Sequence, residues 1–291
     1  MKRKRYIFGI LLLSLLLLVG CSKQSTEKKI LTTTNTYYEP VKSIVGNKYK
    51  VQSIVKSVNV DPHSYTPTAD VSQKVAKAPL IISNGIGYDD WINKLAEANN
   101  KQDSVINFGS DVLHYKDGAN EHLWFSVSHM KLLTKTLYER VSESDNLNKK
   151  YYKNNYHKYN QKLDKLIDKE SQIKKDLNGK NAYVTEPLPD YLLKDLGVTV
   201  KDNHFAKSIE DGTDPSIKDI KDIQNGLKNH QVDFLVVNKQ VHSSIVNKIK
   251  QTAKDNDVPI IYLTETLPSN LGYYEWMNQT LDQFAKVANK G

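Results

Sequence analysis

Apolar residues follow two rhythms along this chain. Short unbroken apolar runs alternate with stretches in which apolar side chains return every third or fourth residue. Ile30-Leu31-Thr32-Thr33-Thr34 reads as a strand, and Tyr38 to Val45 as a helix. Val51 to Val58 reads as a second strand, Val71 to Ala78 as a helix, and Leu80-Ile81-Ile82-Ser83 as a buried strand closed by Asn84-Gly85. Trp91 to Ala98 reads as a helix, and Ser104-Val105-Ile106-Asn107 as a fourth strand. Strands and helices alternating at this spacing predict a parallel α/β sheet.

The second half repeats the theme. Ala182–Thr185, Gly197–Val200, Phe234–Val237 and Ile260–Leu263 read as strands. Leu188 to Leu196, Ser216 to Asn229 and Tyr274 to Val287 read as helices. Between the halves, Tyr152, Tyr156, Tyr159, Leu163, Leu166, Ile173 and Leu177 recur at three- and four-residue steps. This predicts one amphipathic helix from Leu147 to Leu177, ~45 Å long at 1.5 Å per residue. A coiled-coil partner is the alternative, but the many tyrosines and few strong aliphatics suit packing on the chain's own lobes. The expected fold is therefore α/β, with two parallel-sheet lobes (29–145 and 179–291) joined by one long rigid α-helix (146–178). Such a linker predicts little relative motion of the lobes.

The N-terminus changes the picture. Lys2, Arg3, Lys4 and Arg5 precede an apolar run from Ile7 to Val19 that is too short for a stable membrane span. It ends in Leu18-Val19-Gly20-Cys21, the pattern of a bacterial lipobox. Residues 1–20 read as a lipoprotein signal peptide, Cys21 as the lipidated residue, and 21–28 as a polar tether. Cleavage removes the four basic residues and takes the net charge from +8 to +4. Lysines and acids are interspersed along the rest, which argues against a nucleic-acid footprint. Cys21 is the only cysteine, so no thiolate remains for a metal site or a disulfide.

Chemistry-bearing residues gather in two short loops. Asp61-Pro62-His63-Ser64-Tyr65 sets an imidazole beside a stiff proline at a strand's end. Glu121-His122-Leu123-Trp124 places a second one about sixty residues later. Two histidines in aromatic-flanked loops suit a metal site. Open parallel sheets hold ligands beyond the carboxyl ends of their strands. His63 follows one strand and Glu186 follows another, so both are expected in the cleft between lobes. Asp61 is expected to orient His63 by a hydrogen bond.

These residues carry a family resemblance over nearly the whole chain. With the lipobox, both histidine loops, Val184-Thr185-Glu186, Glu210-Asp211-Gly212-Thr213 and Gly272-Tyr273-Tyr274, the chain resembles the metal-binding lipoproteins that serve ABC importers for zinc and manganese. The resemblance implies one divalent ion, Zn²⁺ or Mn²⁺, carried as cargo between the lobes. It implies His63 and His122 as the first two ligands and Glu186 as the third. Relatives often place an aspartate ahead of the aromatic pair. Here Asn270-Leu271-Gly272 stands there, so His204 or water is left to fill the fourth position.

The donor set leaves the metal open. An oxygen third ligand leans toward manganese, and three imidazoles would lean toward zinc. The expected function is capture of the ion at the outer face of the cell membrane and delivery to an ABC permease, by a lipid-anchored monomer and without catalysis. A surface adhesin is the alternative. A secreted metal-dependent hydrolase is a weaker one, since there is no His-Glu-x-x-His helix and no Gly-x-Ser-x-Gly elbow.

Overall fold

Two four-stranded parallel sheets organise the protein. The structure is a computed structural model that describes residues 28–288 apart from Asn59 and Asp61. The signal peptide, Cys21, the tether up to residue 27 and the orienting role of Asp61 lie outside the described residues. In the first lobe β1 (Lys29–Thr34) leads to α1 (Tyr38–Val45), β2 (Lys50–Val55), α2 (Ala69–Lys77), β3 (Ile81–Ser83), α3 (Trp91–Ala98) and β4 (Val105–Asn107). The strand order is β2-β1-β3-β4, with every pair parallel.

Helices α4 (Val127–Ser144) and α5 (Lys149–Leu177) follow. The second lobe then repeats the layout with β5 (Asn181–Val184), α6 (Asp190–Asp195), β6 (Thr199–Val200), α7 (Asn203–Glu210), α8 (Ile217–Lys228), β7 (Phe234–Asn238), α9 (Ser244–Asp255) and β8 (Ile260–Leu263). Its order is β6-β5-β7-β8, again parallel. The closing helix α10 (Tyr273–Ala288) packs back on α5. Helix starts follow local chemistry. Thr68, Ser126, Ser216 and Ser243 accept N–H bonds from the first turns of α2, α4, α8 and α9.

The central strands explain the unbroken apolar runs. Every residue of β3 and of β7 is buried, as expected for strands covered by helices on both faces. The long helix is present and packs on α4, α1 and α10 of its own chain, which removes the coiled-coil alternative. Its buried stripe is Tyr152, Tyr159, Leu163, Leu166, Ile173 and Leu177, joined by Asn160 and Glu170.

One large apolar cluster spans both lobes. It holds Tyr37 and Ile82 from the first lobe, Leu163 and Leu166 from the linker, and Phe234 and Trp276 from the second half. Smaller clusters fill the outer side of each sheet. Polar bonds cross the same boundary. Tyr273 Oη donates to Trp124 O at 2.8 Å, Asn35 Nδ2 to Leu267 O at 2.9 Å, and the Tyr274 N–H to Glu39 Oε2 at 2.9 Å.

Two local expectations need correction. Strand β2 stops at Val55 rather than Val58. Beyond it the chain turns toward the second lobe, where Gln240 Nε2 donates to Val58 O at 2.9 Å. The segment around His204, the candidate fourth ligand, is not a connecting loop but helix α7. Asp202 caps it by accepting the N–H groups of His204 and Phe205.

Candidate metal centre

The chemistry gathers where the two sets of strand ends face each other. His63 lies on the loop after β2, and Glu121 and His122 end the long connection after β4. Glu186 lies two residues past β5, Glu210 ends the helix after β6, Asn238 ends β7, and Glu265 lies two residues past β8. Six connections from two sheets thus converge on one cleft, as the topology requires.

Among the described residues, Glu121, His122 and Glu210 form a group that could hold a metal ion. Their ligand atoms lie within 4.8 Å of one another. His63 joins them, its Nε2 3.3 Å from Glu121 Oε1. His122 Nδ1 is 3.7 Å from Glu210 Oε1. His122 is 2% exposed, while the His63 side chain is 41% exposed, so one imidazole sits at the floor and the other at the mouth.

Asn120 sets the tautomer of His122. Its Nδ2 donates to Pro187 O at 2.6 Å, so its Oδ1 faces the other way. That oxygen accepts both the His122 backbone N–H and the ring Nδ1–H, each at 2.9 Å. The lone pair of His122 is therefore on Nε2, and the ring is held in the orientation a metal ligand needs. Tyr191 Oη donates to Asn120 O at 2.8 Å, which fixes the same residue from the second lobe.

Aromatic rings wall the first-lobe side. Tyr88 meets His63 edge-on at 4.8 Å between centroids, and Trp124 meets His122 edge-on at 5.4 Å. Trp91 Nε1 donates to Pro62 O at 3.1 Å and steadies the loop beside His63. Tyr88 Oη donates to Glu265 Oε1 at 3.2 Å, drawing a second-lobe carboxylate toward His63.

Burial and charge tune the titrating groups. Burial drives the His122 pKa down to about 4; Glu121 opposes this and the charges of His63 and Lys207 assist it. The imidazole is therefore neutral near pH 7 and available as a ligand. Burial pushes Glu186 up to about 7; the bond from Asn238 Nδ2, 2.5 Å to Oε2, pulls it down, and the charges of Glu265 and Glu210 push it up. Burial also raises Glu121, but the hydrogen bond from His63 and the charges of both histidines outweigh it, leaving a net depression. Burial raises Glu210 against the bond from Lys207 Nζ, 2.7 Å to Oε2. Four carboxylates crowd this cleft, a density that a divalent cation would relieve.

The sequence-based ligands fare differently. His63 and His122 reach the centre. Glu186 reaches the cleft, lining a cavity of about 550 Å³ with Pro62, Asn238 and Glu265, and Glu210 approaches His122 on its Nδ1 side. His204 does not join the group: it is exposed on the first turn of α7. Six residues at ~100° each put His204 and Glu210 on different faces of that helix, and the helix turns Glu210 inward. Glu121, Glu210, Glu265 and Asn120 are residues that sequence reasoning passed over as site groups. Of these, only Glu265, two residues past β8, follows directly from the strand-end rule.

Comparison with known proteins now decides the family. The profile described as "Zinc-uptake complex component A periplasmic" matches residues 30–287. The chain belongs to this family. A manganese ABC transporter substrate-binding lipoprotein, PsaA, of Streptococcus mitis is 29% identical over 315 residues, covering 98% of this chain and 99% of its own. PsaA of Streptococcus pneumoniae strain TIGR4 is 30% identical over 305 residues, covering 95% and 96%.

Among solved structures, the periplasmic zinc-binding protein TroA of Treponema pallidum superposes with a TM-score of 0.74 at 17% identity, over 90% of this chain and 99% of its own. The protein FpvC of Pseudomonas aeruginosa, in complex with Mn²⁺, gives 0.74 at 23% identity, over 91% and 99%. These two likenesses share the two-lobed fold. The zinc-uptake family and its substrate-binding lipoproteins place the chain among the metal-binding proteins of ABC importers rather than among enzymes.

Proposed function

We propose that this protein captures a divalent transition metal, Zn²⁺ or Mn²⁺, outside the cell and hands it to an ABC permease. The convergence of His63, His122, Glu121 and Glu210 at the strand ends carries this reading. The names of the relatives support it and say nothing of adhesion. In this reading His63 and His122 are imidazole ligands from the first lobe. Glu210 is the carboxylate from the second, with Glu265 and Glu186 beside it in the cleft. Water rather than His204 completes the shell. Lipid on Cys21 holds a monomeric protein at the outer face of the membrane.

The donor chemistry fits the cargo. Neutral imidazole with carboxylate oxygen suits Zn²⁺, Mn²⁺ or Fe²⁺. Imidazole and carboxylate bind the ion only in their deprotonated forms, so capture weakens in acid.

The test uses residues 22–291, stripped of metal and titrated calorimetrically with Zn²⁺ and Mn²⁺. His63→Ala and Glu210→Ala are expected to weaken binding by more than tenfold, while His204→Ala leaves it unchanged. If His63→Ala alters neither metal, capture at this site is wrong. A strong loss in His204→Ala would return that histidine to the shell.

A further inference from the structure

We propose that Glu121 is itself a ligand of the captured ion and sets the preference of the site toward a harder, oxygen-seeking cation. This rests on the metal-capture reading above and adds a donor to it. Glu121 precedes His122 directly in the chain, a position where a side chain usually points away from its neighbour's target. Here the residues Glu121 to Phe125 form a tight turn. The Leu123 N–H donates to Glu121 O, and Leu123–Phe125 is a single 3-10 turn. Asn84 Nδ2 also donates to Glu121 O at 3.0 Å and pins the backbone. The result brings both consecutive side chains to the same centre.

The spacing is that of two ligands on one ion. Donors bound at ~2.1 Å with angles of ~90–110° stand about 3.0–3.4 Å apart. His63 Nε2 and Glu121 Oε1 are 3.3 Å apart. The Glu121 side chain is 14% exposed, as is that of Glu210, so both carboxylates are largely withdrawn from water. The first lobe then offers two imidazoles and one oxygen without help from the second, and Glu210 supplies a second oxygen across the cleft.

Chemistry gives the consequence. Imidazole favours zinc, whereas carboxylate oxygen suits manganese and other hard ions. Adding Glu121 to Glu210 makes the oxygen share of the shell at least equal to the nitrogen share. Removing Glu121 should leave an imidazole-weighted site that keeps zinc and loses manganese.

The experiment titrates metal-free 22–291 with Zn²⁺ and with Mn²⁺ in wild type, Glu121→Gln and Glu121→Ala, with His63→Ala alongside. Thermal unfolding without metal checks that each variant folds. The expected result is a loss of more than tenfold for Mn²⁺ and under threefold for Zn²⁺ in both Glu121 variants. Unchanged binding of both metals overturns the proposal. So does tighter binding of both, which would make Glu121 a competitor for His63. Equal losses of both remove its role in selectivity. Loss of response to His63→Ala marks a failure of the capture reading instead, and is told apart by that control.

Discussion

Glu170 is a buried carboxyl on the inner stripe of α5, one turn beyond Leu166 and three residues before Ile173. It is 7% exposed, and its Oε1 has no hydrogen-bond partner. Burial, with the charge of Asp195 adding, pushes its pKa from 4.5 up to about 8. The folded state therefore holds this proton more tightly than the unfolded chain. Below pH 4.5 both states are protonated and the site costs nothing. As pH rises toward 8 the unfolded chain ionises while the folded one does not, so stability is progressively lost; above 8 the loss is constant. At pH 7 the gap is about 2.5 pH units, which at ~1.4 kcal/mol per unit is about 3 kcal/mol. Glu170→Gln keeps the shape and removes the titration. Urea unfolding of metal-free protein should show the variant about 3 kcal/mol more stable than wild type at pH 7, with the gain shrinking to under ~1 kcal/mol at pH 5. A difference between the two proteins that is the same at pH 5 and pH 8 would refute the reasoning.

Three further outcomes are expected. Asn120→Ala frees the His122 ring and should weaken Zn²⁺ binding ~10–100-fold by calorimetry; unchanged affinity would show that the ring needs no such anchor. Glu186, with its pKa near 7, carries a proton in about half the molecules at pH 7, so as a ligand it would expel ~0.5 proton on metal binding. Calorimetry in buffers of different ionisation enthalpy should show Glu186→Gln releasing that much less, and an identical proton count would put Glu186 outside the shell. X-ray scattering of metal-free and Zn²⁺-loaded protein should give nearly superimposable profiles, and a change the size of a domain closure would contradict the shared core.

The fold was legible because its signals are strong. Buried strands such as Phe234–Asn238 are short apolar runs, and the linker shows its stripe through seven periodic residues. Helix α7 was missed because Asn203–Glu210 has only Phe205 and Ile209 as large apolar anchors, and its start is marked by a single capping residue, Asp202. That miss carried the site with it: a helix, not a loop, decides whether His204 or Glu210 faces inward. His63 and His122 could be found because their loops are distinctive locally. Glu121, Asn120 and Glu265 act through contacts with groups far along the chain, such as the Pro187 carbonyl for Asn120 and the Tyr88 hydroxyl for Glu265. Such contacts leave no periodic trace.

The single apolar cluster that runs from Tyr37 through the linker to Trp276 has a consequence for unloading. A protein whose halves share one interior cannot surrender its cargo by swinging open like a shell, because that would flood the interior with water. Under the proposed function, release of the ion therefore calls for a local rearrangement of the cleft, with the shared interior of the two halves left closed.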